Sequence, residues 1–218
     1  IFDRQKTLEQ SQAAGEVATQ RDGSAGKTDR DDERQRGCCE CMRRRLLEEV
    51  AEHSKVQFSE KDRQALTNIP YPESVLKSVK KTHVLFPGYP RNILKIRARV
   101  PKETFYEYDP DWYGDPKQKF AREKCRLGWL LIRKDIVPGS TAKSYNDQRS
   151  LLGADEEVLR AVEMVYLMAL YFLARGEKLF TRVWARTCSF SSDGDRVDVL
   201  FYDGRLGICH CFDEAYDY

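Results

Sequence analysis

The chain has 218 residues, 41% of them hydrophobic and 33% charged, with 37 Lys and Arg against 35 Asp and Glu for a net charge of +2. That length holds one substantial domain plus extra segments, or two small domains, and its apolar content is adequate for a core. The balance of charge excludes a nucleic-acid or membrane surface argued from the total, and the longest apolar run, residues 164–174, is too short to span a bilayer.

Residues 1–37 are polar and charged with almost no apolar periodicity. The mixed-charge stretch 21–36 cannot bury enough surface to order itself, so this arm is predicted to be disordered. Within it, Gly26-Lys27-Thr28 is not a phosphate loop: the Gly needed five positions earlier is Arg21, and no strand precedes it. Residues 38–81 read as a helical segment. Met42, Leu46, Leu47 and Val50 recur at helical spacing over residues 41–53. Ser59-Glu60-Lys61-Asp62 opens a second helix with a capping-box signal, and a third follows Pro70 and Pro72 over residues 74–80. Arg43, Arg44, Arg45 and the lysines of residues 77–81 alternate with acidic groups and read as solvated helix faces, which makes a nucleic-acid partner the weaker expectation.

Residues 82–218 read as one α+β domain. Val84-Leu85-Phe86 is a short strand ended by Pro87-Gly88, and Ile93, Leu94, Ile96, Ala98 and Val100 form a second apolar segment with partial alternation. The tyrosine-rich stretch FYEYDPDWYGDP, residues 105–116, reads as a loop covering the rim of a core, with ligand contact as the alternative. Residues 128–133 are a buried strand. A helix is predicted over residues 156–175, capped by Asp155, with Glu156 and Glu157 complementing its dipole and Gly176 ending it in the left-handed conformation. Its middle, MVYLMALYFLA, is apolar nearly all round, so it becomes the central buried helix with Met164 and Met168 in the core.

Two Asp-Gly pairs, Asp193-Gly194 and Asp203-Gly204, divide the rest into three antiparallel strands at about residues 181–190, 196–202 and 206–212. In the second, Val197, Val199 and Phe201 point one way, and Asp198, Leu200 and Tyr202 the other. Beyond Leu206 the mixture Cys209, His210, Cys211, Asp213, Glu214, Tyr216, Asp217 and Tyr218 follows no core pattern and suits an exposed contact surface.

Catalytic chemistry finds little support. The seven cysteines resemble no compact disulfide framework, so a reducing compartment is the simpler reading. The Cys38-Cys39-Glu40-Cys41 run and Cys209-His210-Cys211 supply zinc-type ligands, but the second pair has a one-residue spacing, and strand alternation turns His210 away from its cysteines. The same alternation denies His210 a role as base for either thiol, and Asp193, Asp195 and Asp203 are turn residues by backbone preference. No catalytic residue, metal or cofactor is expected, and a non-enzyme is the favoured class. Beginning at Ile1 and stopping on Tyr218, the sequence reads as a fragment of a longer product would, and its localisation is left open.

Taken together, several of these stretches resemble a known family. GWLLIRK from Gly128, VPGST from Val137, GEKLF from Gly176, Arg186-Thr187, SDGDRV from Ser192, Tyr202-Asp203, Leu206-Gly207-Ile208 and Phe212-Asp213 are similar to the variable proteins encoded beside diversity-generating retroelements, particularly those of uncultured small-genome microbes. VLFPGYPRNIL from Val84 fits the same pattern. Leu200 stands where a small residue is expected and Phe212 where Trp is. The resemblance implies a C-type-lectin-like domain with a central buried helix and antiparallel C-terminal strands, preceded by a disordered and helical N-terminal segment. It also implies a ligand-binding display protein whose C-terminal surface is diversified by retroelement mutagenesis, for a protein or surface ligand. The positions it assigns to the variable surface are Phe201, Gly207, Cys209, His210, Cys211, Glu214, Ala215, Tyr216 and Asp217, interleaved with scaffold-like Val197, Val199, Leu206, Ile208 and Phe212. The alternatives are a plain α+β domain whose polar C-terminal residues face water, and a zinc- or thiol-dependent enzyme.

Overall fold

In chain order the elements are β1 (Phe2–Asp3), α1 (Thr28–Ser54), α2 (Glu60–Ala65), α3 (Glu73–Val79), β2 (His83–Gly88), α4 (Ile93–Arg97), β3 (Gly128–Arg133), α5 (Tyr145–Ser150), β4 (Glu156–Glu157), α6 (Ala161–Arg175), β5 (Ala185–Phe190), β6 (Arg196–Tyr202) and β7 (Arg205–Cys211). The structure is a computed structural model and describes residues 2–3, 28–181 and 183–211. The chain is a mixed α+β domain. Its strands form a four-stranded sheet of order β2-β3-β1-β4 and a three-stranded sheet of order β5-β6-β7.

Helix α6 is the element on which the rest is packed. Every residue from Ala161 to Tyr171 is buried, because apolar groups occupy all sides of its first three turns. Met164 and Met168 are core residues, as the sequence predicts. Gly176 ends the helix at φ 69°. Leu47 and Val50 of α1 are buried in the same core, and Arg175 reaches Glu49 of α1 at 2.8 Å. The capping box of α2 is as expected, with Ser59 and Asp62 bonded to each other's backbone. Trp129 of β3 donates its indole N–H to the Leu66 carbonyl at 3.2 Å, which ties the α2 end to the first sheet.

Three local expectations are corrected. The central helix starts at Ala161 rather than residue 156, with Arg160 and not Asp155 as its cap, because Glu156 and Glu157 are extended and pair with Phe2 and Asp3. Residues 93–97 are a helix, not an extended segment: the Asn92 side chain accepts from the Lys95 amide and nucleates a turn that buries Ile93 and Ile96. Helix α1 begins at Thr28, so it runs across residue 37, where the polar arm was expected to end. The remainder of that arm, residue 1 and residues 4–27, lies outside the described residues.

The C-terminal sheet follows the expected hairpins closely. Asp203 and Gly204 have φ of 47° and 78°, the two positive values a type I′ turn requires. At Asp193-Gly194 only the glycine is left-handed, and the longer loop is held by Ser191, whose Oγ accepts from the amides of Asp193 and Asp195.

Candidate functional site

The two faces of the three-stranded sheet carry different side chains, apolar toward the helix and mixed on the other side. Val197, Val199, Leu206 and Ile208 have no exposed surface and face α6. The opposite row is set by the register Arg196 with Cys211, Asp198 with Cys209, Leu200 with Gly207 and Tyr202 with Arg205. Three of the five large apolar side chains exposed among the described residues, Trp184, Phe190 and Tyr202, belong to this sheet or the residue before it.

Two flanking segments border the outer face. On the β7 side runs the tyrosine-rich loop. The Tyr106 amide donates to the Leu206 carbonyl, Tyr108 Oη accepts from the Ile208 amide at 3.1 Å, and Trp112 Nε1 donates to the Ile208 carbonyl at 3.1 Å. The rings of Tyr202, Tyr106, Tyr108, Tyr113 and Trp112 follow one another edge to face at centroid distances of 4.9–5.9 Å. On the β5 side, Arg186 Nη1 donates to the Lys143 carbonyl, and the Arg196 guanidinium lies between two rings, 3.3 Å from Tyr145 of α5 and 4.3 Å from Phe190. Stacked on these rings and donating to the Thr187 carbonyl at 3.2 Å, the Arg196 guanidinium is held in place although the residue is only 5% exposed.

Between these borders lie Asp198 and two thiols. Asp198 is 1% exposed and accepts a hydrogen bond from Cys211 Sγ at 2.7 Å. Burial, and then the Asp198 carboxylate, pushes the Cys211 thiol up to about 12, so it is a neutral donor at physiological pH. Cys209 Sγ lies 3.3 Å from Tyr108 Oη, and burial raises its pKa as well. These are polar contact groups rather than activated nucleophiles. His210 lies on the other side of the strand, at the rim. Its Nδ1 is 2.9 Å from Asp195 Oδ2, and its ring meets Trp112 at 4.9 Å. Asp195 thus has a partner that the reading of it as a turn residue did not anticipate.

The positions named from sequence therefore separate. Cys209, His210 and Cys211 are partly or fully accessible at the open end of β7. Phe201 is not: it is 6% exposed, its ring is 5.5 Å from Phe172 of α6, and its place in the row of Val197 and Val199 makes it core. Gly207 is buried, and a Cβ there would stand 3.2 Å from both Leu200 Cδ2 and Tyr108 Oη, so a side chain at this position requires one of them to give way. Glu214, Ala215, Tyr216 and Asp217 lie outside the described residues, as does Phe212. Sequence reasoning placed Arg186, Arg196 and Asp198 in the family motifs or the strand alternation but gave them no site role, although charged residues inside β-rich runs were a usable signal. Among the described residues no three His, Cys, Asp or Glu side chains group as metal ligands, and no helix is long and apolar enough to cross a membrane. Comparison of the chain with protein-family models, with characterised proteins and with solved structures finds no match.

Proposed function

We propose that this chain is a non-catalytic, ligand-binding display protein with a C-type-lectin-like domain, whose C-terminal surface is varied by retroelement mutagenesis. One observation carries the reading: β6 and β7 separate a fully buried row from an accessible end. Val197, Val199, Leu206 and Ile208 hold the sheet on α6, while Cys209, His210 and Cys211 reach the surface beside a belt of tyrosines. Side chains at such an end can change without disturbing the core. Tyr, Trp and Arg around it are the groups that dominate contact energy at protein surfaces. Each of the three accessible residues makes its hydrogen bond outside the buried row, to Tyr108, Asp195 or Asp198.

The test is sequencing of the gene across its source population, with a search for a template copy nearby. The expected result is substitution concentrated at codons 209–211 and 214–217, at positions where the template carries adenine, with Val199, Phe201, Leu206, Gly207 and Ile208 spared. Variation spread evenly, or silent throughout, overturns the reading.

A further inference from the structure

Helix α1 is longer than its packing accounts for. Its 27 residues begin at Thr28, yet among the described residues its contribution to the core cluster starts only at Leu46. Leu47, Val50 and Ser54 turn one face of its last turns into the domain. At 3.6 residues per turn that face runs back through Arg43 and Arg44 to Glu40, Arg36 and Glu33, with Asp32 at its flank. Mixed charge of this kind does not order a chain by itself, and Gly37 weakens a helix interior further. A helix polar on all sides is held either by ion pairs along it or by something beside it.

The pairs along it are weak. Among the described residues, Arg43 meets Glu40 at 3.6 Å and Arg44 meets Glu48 at 3.9 Å, both long contacts to exposed carboxylates. Beside the same face lies an open groove of about 570 Å³, walled by Glu40, Arg43 and Arg44 of α1 and by Glu60, Arg63 and Gln64 of α2. The Arg43 side chain is only 22% exposed there, and Arg63 forms no ion pair among the described residues. Three arginines thus line a concavity that two carboxylates share with them.

We infer that this groove is one half of a two-fold interface, and that its occupant is the α1 helix of a second copy of this chain lying antiparallel. With the two helices level at Cys38, positions equally far from it on either side come opposite one another. Glu33 then stands level with Arg43 of the second copy, Asp32 with its Arg44 and Glu40 with its Arg36. Every charged pair on this face is of opposite sign, and the two-fold repeats each of them. A parallel pair in register would set like against like. The acidic start of one α1 therefore enters the groove beside the arginines of the other, with Arg63 as a further cation. These contacts are ionic and open to water, which makes the dimer weak and salt-sensitive. It is independent of the display reading.

Sedimentation velocity of the full chain over a range of concentrations tests it. A dimer is expected in about 0.05 M salt, with association weakened about ten-fold or more in about 0.5 M salt. Two charge-reversed variants then decide the pairing: Arg43→Glu with Arg44→Glu, and Asp32→Arg with Glu33→Arg. Each alone sets like charges level across its own two-fold and is expected to be monomeric. Mixed in equal amounts, the two restore opposite signs at both ends, and association is expected to return, which a loss caused by misfolding would not do. Should one variant fail to fold, the salt dependence of the wild type still decides the matter. A dimer indifferent to salt overturns the inference, as does a mixture of two folded variants that stays monomeric. So does a wild type that stays monomeric in low salt, which leaves the groove to an acidic helix of another protein.

Discussion

Glu163 is the most exposing test of how this molecule tolerates charge. Its side chain has no exposed surface, yet it accepts from Arg126 Nε at 2.6 Å, from Arg160 Nη2 at 2.7 Å and from the Arg160 amide at 3.2 Å. Burial alone drives a carboxyl upward in pKa; here the hydrogen bonds from Arg126 and then Arg160 outweigh it, and the group stands below its ordinary 4.5. Glu163→Gln keeps the shape and the backbone cap but removes the charge. It is expected to cost about 2–3 kcal/mol, less than a fully dry pair would, because Arg126 and Arg160 remain 37% and 35% exposed. The sign with pH follows from the lowered pKa. The carboxylate's contribution is complete above 4.5 and is lost as pH falls through the lower folded-state value. Urea unfolding of wild type and variant should therefore differ most near about pH 7, with the difference narrowing as pH falls below the ordinary carboxylate range. A difference that stays constant as pH falls well below 4.5 shows the charge to be unimportant. The sequence marked Glu163 only as a residue inside an apolar helix; its partners lie three and 37 residues away, and only folding brings the second to it.

At the level of elements, the sheet edge matters most. Among the described residues β7 has no neighbouring strand on its outer side, and an open edge is a template for association. The tyrosine-rich loop closes it with side chains: Tyr108 takes the Ile208 amide proton and Trp112 donates to the Ile208 carbonyl. Tyr108→Phe retains the ring packing against Tyr106 and Tyr113 but leaves the buried Ile208 amide without its acceptor. A loss of about 1–2 kcal/mol is expected, together with faster hydrogen exchange at Ile208. Unchanged exchange at that amide means the loop does not seal the edge. This pairing also shows where sequence reading stops. The hairpins were legible because Asp-Gly encodes its own turn, and the buried row because alternation needs only the strand itself. The loop was visible as a tyrosine cluster, but its bonds to a strand about a hundred residues later were not. The misplaced start of α6 has the same cause: Glu156 and Glu157 suit a first helical turn, and only pairing with Phe2 and Asp3 makes them strand.

For the molecule as a whole, α6 is what makes two sheets one domain. Its residues share a single buried cluster with Leu130 and Ile132 of β3 on one side and Val197, Val199 and Ile208 of β6 and β7 on another. Among the described residues no strand pairing joins the two sheets, so their cooperation rests on this helix and the side chains around it. Leu167 lies at its middle with no exposed surface, inside the cluster to which both sheets contribute, and Leu167→Ala opens a cavity there. The expected cost is about 3 kcal/mol. Two indoles report separately, since Trp129 is part of β3 and Trp112 is bonded to β7. Fluorine NMR of protein labelled with 5-fluorotryptophan, followed through a urea titration, reads both without further mutation. If the helix couples the sheets, both signals change at one midpoint in wild type, and Leu167→Ala moves that midpoint down equally for both. Separate midpoints, or a shift confined to Trp112, would mean that the C-terminal sheet unfolds by itself. The accessible end of β7 would then stand on a scaffold able to loosen without the core, and side chains there would be far less free to vary at no cost to the fold.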